Sequence, residues 1–261
     1  QDPKKLAMMS VSRREITQLF HKRTGEGKLR WVGLPFPTDA MAQEANMSFS
    51  EYERFVYGAC KVDKRDPVKE WEKVKREQDK MVKLLDKVNR LEFFGKDTEL
   101  KMSVKGRKWI NCCGDKNMPD GEVFTGPVEN SVEGKIRFTY PGIYMGNEIE
   151  DIRLEFKKGK VIKARAAKGQ KLLEQLLAID DGCRRLGEVA IGTNYGIKKF
   201  SKNMLFDEKI GGTIHMALGM GFPETRSKNQ APIHWDILKD MKKGEVLADN
   251  KTVYKNGKWV A

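Results

Sequence analysis

The chain has 261 residues, 39% hydrophobic and 33% charged, with Lys+Arg 50 against Asp+Glu 37 and a formal charge of +13. This composition excludes a disordered chain and is enough to bury a sizeable core as one large domain or two modest ones. The basic excess raises nucleic acid as a partner, but the lysines sit among acidic residues, as in KEWEKVKREQDK, which reads as a solvated, ion-paired face and predicts no nucleic-acid surface.

In chain order, residues 5–23 read as a helix closed by His21, Lys22 and Arg23 ahead of Gly25 and Gly27. His21 has no acidic or histidine partner nearby and reads as solvated. LRWVGLPFPT suits a short strand leaving into an irregular loop. Ser48 and Glu51 form a capping-box pattern opening a helix that buries Tyr52, Phe55, Val56 and Ala59. Asp66-Pro67 opens a second helix, with Val68, Trp71, Val74, Met81, Leu85 and Val88 on its apolar face, expected to run to Phe94-Gly95.

From Glu99 the period becomes alternating. LKMSVKGRKWINCC reads as two strands, followed by the polar loop GDKNMPDGE with Glu122. EGKIRFTY, EIEDIRLEF and KVIKARA read as further strands, the last two joined at Lys157-Lys158-Gly159, which predicts an antiparallel sheet. Gln170 to Leu186 reads as a helix delivering Gly187-Glu188 at its end. The tail VLADNKTVYKNGKWV pairs two strands across a type I′ Asn256-Gly257 turn. The expected fold class is α+β: a helical region over 1–95, then a largely antiparallel β-sheet with packed helices over 96–261.

No apolar run approaches the roughly 20 residues that span a bilayer, and no signal peptide is evident. Cys60, Cys112, Cys113 and Cys183 lack CxxC spacing and read as reduced, buried thiols. The expectation is a soluble cytoplasmic protein without membrane attachment. Gln1 in place of an initiator methionine reads as a processed product or a fragment.

The stretch Phe206 to Asp236 holds His215, His234 and Asp236. In an extended segment His234 and Asp236 share a face and can converge on one cation, with Trp235 pointing the other way. Gly211 and Gly212 precede His215, and Gly-Glu-Val occurs at 121–123 and again at 187–189. Taken singly, Gly121-Glu122 could be a solvated turn, Glu188 an ion-pair partner of Arg184 or Arg185, and His215 a hydrogen-bonded core histidine. His234-Trp235-Asp236 is the hardest to explain as structure alone, because a buried imidazole and acid on one face need a compensating partner.

The segments NMPDGEVFTGP, RRLGEVAIGTN, DEKIGGTIHMALG and IHWD, in that order, resemble the thermophilic aminopeptidases of the M29 metallopeptidase family over roughly residues 30–261. The resemblance implies release of single amino acids from the free N-terminus of peptides by a site with two divalent ions, usually zinc, cobalt or manganese. The implied metal ligands are Glu122, Glu188, His215, His234 and Asp236. Five side chains suffice for two ions if one carboxylate bridges them, and Glu188 is the expected bridge. Glu188 first and Glu208 second are the candidates for proton transfer.

A homodimer with sites facing an internal cavity and a further N-terminal α/β domain are also implied; the residues before Glu122 are too few to hold that domain with the helical region. The chain departs from the family at Phe222 in ALGMGFPET, where tyrosine is usual, and at Arg226 in PETRSKN, where a glycine pair is usual. Removing an oxyanion donor such as a phenol typically costs about 10²–10³ in rate. The alternative expectation is therefore a catalytically impaired metal-binding or peptide-binding homologue, with Tyr195 as a substitute donor in the active case.

Overall fold

The structure, a computed structural model, describes Ile16, Leu19, Phe20, Arg23, Thr24 and residues 26–261. His21 and most of the helix expected over 5–23 lie outside the described residues. Gln1–Gly33 and Leu34–Ala261 form two compact units, and every element named below belongs to the second. LRWVGLPFPT is irregular apart from a bridge residue at Gly33, as its two prolines permit.

Helices α1 (Asp39–Glu44), α2 (Phe49–Ala59) and α3 (Pro67–Leu85) lead into β1 (Arg90–Gly95), β2 (Thr98–Ser103), β3 (Ile110–Cys112), β4 (Glu122–Thr125) and β5 (Glu133–Arg137). Next come β6 (Gly142–Tyr144), β7 (Asn147–Ile149), β8 (Arg153–Lys157), β9 (Lys160–Arg165), α4 (Gln170–Ala178), β10 (Leu186–Gly192) and α5 (Met204–Asp207). The chain closes with β11 (Thr213–Gly219), β12 (His234–Asp240), β13 (Glu245–Ala248), β14 (Lys251–Lys255) and β15 (Lys258–Trp259). The fold is α+β, with helices first and antiparallel ladders after.

One eight-stranded sheet runs β15-β14-β13-β1-β2-β5-β8-β9, one five-stranded sheet runs β12-β11-β10-β4-β3, and β6-β7 forms a ribbon. The capping box at Ser48 and the Asp66 N-cap form as expected. Lys158-Gly159 and Asn256-Gly257 both take the positive φ values that tight hairpins require. All four cysteines are free, with Cys60 and Cys183 buried and Cys112 and Cys113 half-buried. Among the described residues no helix is long and apolar enough to cross a membrane.

Two helix ends differ from expectation. Helix α3 stops at Leu85, and Arg90–Gly95 instead joins a sheet between β2 and β13. Leu91 and Phe93 alternate into the core there, a period of two that overrides continuation of the helix. The expected division near residue 95 thus falls within the β1–β2 hairpin. Helix α4 stops at Ala178, not Leu186: Asp180 accepts from Gly182 N at 2.7 Å and caps a 3₁₀ turn over Asp181–Arg184. Leu186 then opens β10, so Glu188 lies inside a central strand rather than past a helix.

Strands β10 and β11 are buried along their whole length, because the five-stranded sheet is covered on both faces. One face sends Val123, Val189, Ile191, Ile214, Met216, Leu218, Trp235 and Ile237 into the main core with Leu91, Phe93, Leu100, Met102, Leu154 and Phe156 of the larger sheet. On the other face, Leu238 joins a second cluster with Tyr52, Val56, Ile197, Phe206 and Ile210.

Helix α3 is fastened to this sheet by a polar residue in its apolar stripe. Gln78 is 1% exposed; its Nε2 donates to Asn111 Oδ1 at 2.6 Å, Cys112 O at 2.9 Å and Glu122 O at 2.8 Å, while its Oε1 accepts from Thr193 Oγ1 at 2.8 Å. Gln78→Leu keeps the volume but leaves these buried groups unpaired. It is expected to lower stability by about 1–3 kcal/mol, read as a reduced urea midpoint with an unchanged slope.

Candidate metal centre

The antiparallel register builds the site from residues far apart in sequence. Glu188 of β10, Ala217 of β11 and Asp236 of β12 lie opposite one another, as do Ala190, His215 and Leu238. Glu122 of β4 pairs with Gly192 of β10, and Gly219 with His234. Because side chains alternate, all five expected ligands project from one face. Ala217 between Glu188 and Asp236, and Ala190 beside His215, are small and leave space between the polar groups. A bulge between Leu186 and Glu188 inserts Gly187, a device that re-aims the following side chain. Any Cβ at Gly187 would lie 2.2 Å from Met220 O.

The polar atoms converge. His215 Nε2 is 3.0 Å from Glu188 Oε1, 3.2 Å from Glu122 Oε2 and 3.9 Å from Asp236 Oδ1. His234 Nε2 is 3.4 Å from Asp236 Oδ2 and 3.7 Å from Glu188 Oε2. His234 Nδ1 donates to Met220 O at 2.7 Å, which turns Nε2 towards the carboxylates, the usual way a second contact orients a ligating imidazole. Trp235 points to the opposite face, where its Nε1 donates to Ile143 O at 3.1 Å.

Glu208 joins this face from the end of α5: its carboxylate, His215 and Asp236 offer atoms within 4.8 Å of one another. Lys209, fully buried, donates to Glu122 Oε1 at 2.8 Å and contacts Glu208. Sequence reading missed Lys209 and Gln78. Lys209 lies in a lysine-rich chain where such a residue reads as solvated, and its only local signal is its place between Glu208 and the Gly211-Gly212 turn.

Protonation reflects the crowding. Burial would depress His215 and His234, but for His215 the carboxylates of Glu188, Glu122 and Asp236 outweigh it and raise the ring to about 9. Asp236 and Glu188 likewise raise His234 to about 10. Burial pushes Glu188 up and takes Glu208 to about 8. Asp236, despite its burial, is held down to about 2 by His234 and His215.

The donor set fits divalent cations. Glu122 Oε2 and Asp236 Oδ1 are buried without a hydrogen-bond partner, a cost that proteins seldom carry without a ligand. Two groups of metal-type donors, Glu122/Glu188/His215 and Glu188/His234/Asp236, each lie within 4.8 Å and share Glu188. Without cations, protons on the imidazoles offset part of the carboxylate charge.

Residues 1–259 match the family described as thermophilic metalloprotease (M29). The chain belongs to the M29 family. It is 26% identical to aminopeptidase 2 of Geobacillus stearothermophilus over 99% of this chain and 72% of that protein. It is 28% identical to aminopeptidase T of Thermus thermophilus over 88% of this chain and 65% of the relative, so it spans about two thirds of the lengths of these M29 proteins. The solved wild-type AmpT structure from Thermus thermophilus superposes with a TM-score of 0.77 at 28% identity, over 88% of this chain and 65% of that one. A 2,5-dihydroxypyridine dioxygenase structure from Pseudomonas putida KT2440 shares the fold at a TM-score of 0.59 and 21% identity, over 73% and 60% of the two chains.

Divalent ions taken up at these atoms of this M29 chain would compete with protons, which gives the pH dependence a direction. Both histidines are raised above their unfolded value, so in the chelated protein their contribution is complete below about pH 6.5 and is lost as pH climbs through about 9 and 10. Metal affinity gains over that window as the protons leave. Thermal scans are expected to show the chelated protein losing stability from neutral to alkaline pH while the increment from added divalent ion grows; the opposite trend would contradict this electrostatic account.

Proposed function

We propose that this chain is a metal-dependent aminopeptidase that removes single residues from the free N-terminus of peptides. Two divalent ions, zinc, cobalt or manganese, would be held by Glu122, Glu188, His215, His234 and Asp236. The observation that carries this reading is the shared Glu188, whose Oε1 faces His215 at 3.0 Å and whose Oε2 faces His234 at 3.7 Å. A carboxylate presenting one oxygen to each donor group suits a bridging ligand. The names of the relatives, aminopeptidase 2 and aminopeptidase T, support the same reaction. Bound divalent ions supply Lewis acidity and a water of lowered pKa. Free thiols on all four cysteines support a cytoplasmic setting.

The chain's own residues divide the remaining work. Both oxygens of Glu188 are turned to imidazoles, so we assign proton transfer to Glu208 ahead of Glu188. Glu208 sits beside the ligand cluster, and its shift to about 8 suits a group that takes a proton from water and returns it to the leaving amine near neutral pH. Phe222 packs its ring 4.8 Å from the His234 ring and 5.6 Å from that of Phe124, giving an apolar wall that excludes water beside His234.

Phe222 also supports a second reading, a metal-binding or peptide-binding homologue with slow turnover or none. It brings no hydroxyl to the position where the family usually has tyrosine. Tyr195 is a poor substitute, because its hydroxyl donates to Gly257 O at 2.8 Å on the β14–β15 turn.

Hydrolysis of leucyl and other aminoacyl chromogenic amides by the chelated chain, before and after adding zinc, cobalt or manganese, tests both readings. Metal-dependent turnover that N-acetylation of the substrate abolishes is the result expected of an aminopeptidase. Glu188→Gln and His234→Ala are each expected to abolish metal retention or turnover, and unchanged metal content with full activity in both would remove the site assignment. Phe222→Tyr is expected to raise kcat by at least about tenfold if the phenol can act as an oxyanion donor. Metal binding without turnover in both the parent and Phe222→Tyr would favour the binding homologue.

A further inference from the structure

Lys209 stands outside the ligand set, yet its side chain is 0% exposed. Its delivery to the site is built into the backbone. Asn194 N donates to Lys209 O at 2.9 Å and Gly211 N to Asn194 O at 3.0 Å. Asn194 is fixed in turn by bonds from Nδ2 to Ala59 O at 3.1 Å and Asp120 O at 2.9 Å. Gly192, in register with Glu122, allows the crossing, since a Cβ there would lie 2.2 Å from Ile210 O. The ammonium arrives between two carboxylates, donating to Glu122 Oε1 at 2.8 Å and contacting Glu208.

Each partner of Lys209 also belongs to a further cluster of metal-type donors. Glu122 gathers with Cys112 and Asp120, and Glu208 with His215 and Asp236, in each case with donor atoms within 4.8 Å. We propose that Lys209 is the resident cation of this centre: by holding Glu122 and Glu208 together, its ammonium takes the place of a third divalent ion and restricts the site to two. This inference rests on the dinuclear reading above.

Charge balance supplies the argument. Asp120, Glu122, Glu188, Glu208 and Asp236 place five carboxylates in or against one enclosed region. With all five carboxylates deprotonated and the imidazoles neutral, the state that bound divalent ions would favour, the ammonium cancels one carboxylate and the four that remain equal the charge of two divalent ions. Enclosed charge has to be compensated because the surroundings screen it poorly. Removing the ammonium leaves one uncompensated negative charge next to two donor clusters, and uptake of a further cation is the response.

The test is cobalt titration of the chelated full chain, followed by metal analysis after dialysis and by the visible cobalt spectrum. The parent is expected to retain two ions, and Lys209→Met three with an altered spectrum. Glu208→Gln leaves the ammonium short of a partner and is expected to hold its second ion roughly tenfold more weakly, through charge repulsion in a poorly screened site. Combining both changes should return the count to two and restore the affinity. If Lys209→Met does not fold, Glu208→Gln against the double variant still decides. A Lys209→Met protein that holds two ions with the parent spectrum overturns the proposal, as does equal second-ion affinity in Glu208→Gln and the double variant. A parent chain that takes up no divalent ion overturns the dinuclear reading and, with it, this inference. A parent with two ions and an unresponsive Lys209→Met overturns the role of Lys209 alone.

Discussion

The mutual repulsion of carboxylates packed around two imidazoles is the constraint on which the rest of this fold depends. Glu122, Glu188 and Asp236 are buried, and buried like charges are tolerated only when opposite charge is held among them. The histidines, Lys209 and the divalent ions implied by family membership provide that charge in three different forms. The imidazoles carry exchangeable protons, whereas the Lys209 ammonium is enclosed between Glu122 and Glu208. Neighbouring features of the sheet, from the Gly187 bulge to the alanines at 190 and 217, follow from the need to bring these groups close without letting apolar side chains intervene.

The same sheet must also be the wall of a hydrophobic core. Along β12, His234 and Asp236 face the site while Trp235 and Ile237 enter the main core. On β11, His215 alternates with Ile214 and Met216 in the same manner. Burial on both faces holds the strands rigidly, so ligand positions inherit the precision of core packing rather than the latitude of surface loops. Gln78 extends this support to the Glu122 edge by tying α3 to β3, β4 and Thr193, the residue that follows β10. Phe222, although on an irregular segment, is held against His234 by ring packing.

Much of this arrangement could be read from the chain alone, for identifiable reasons. The His-Trp-Asp triplet carries its geometry in its period, and the order of four motifs resembles one family. Hairpins at Lys158-Gly159 and Asn256-Gly257 were legible because few residues accept the backbone angles involved. Less legible were features set by distant partners. Nothing near Leu85 shows that Leu91 and Phe93 will find β2 and β13, so the helical period reads on past the true end of α3. The stop at Ala178 depends on an Asp180 cap that resembles any polar surface residue. Lys209 and Gln78 look solvated until the strands close around them, because burial of a polar group is a property of the assembled sheet.

The sequence separation of the donors bears on when the centre can exist during folding. Glu122 and Asp236 bracket β5 through β11, including three strands of the larger sheet and the β6–β7 ribbon, and Glu188 meets the histidines only through completed antiparallel ladders. Long loops must therefore close before their donors are rewarded, which favours slow, nonlocal nucleation. An isolated hairpin contains at most a partial donor set, so metal arriving early would find no full coordination sphere. Divalent ion would then act by retaining molecules already folded and slowing their unfolding, with little influence on the rate at which the sheet first assembles.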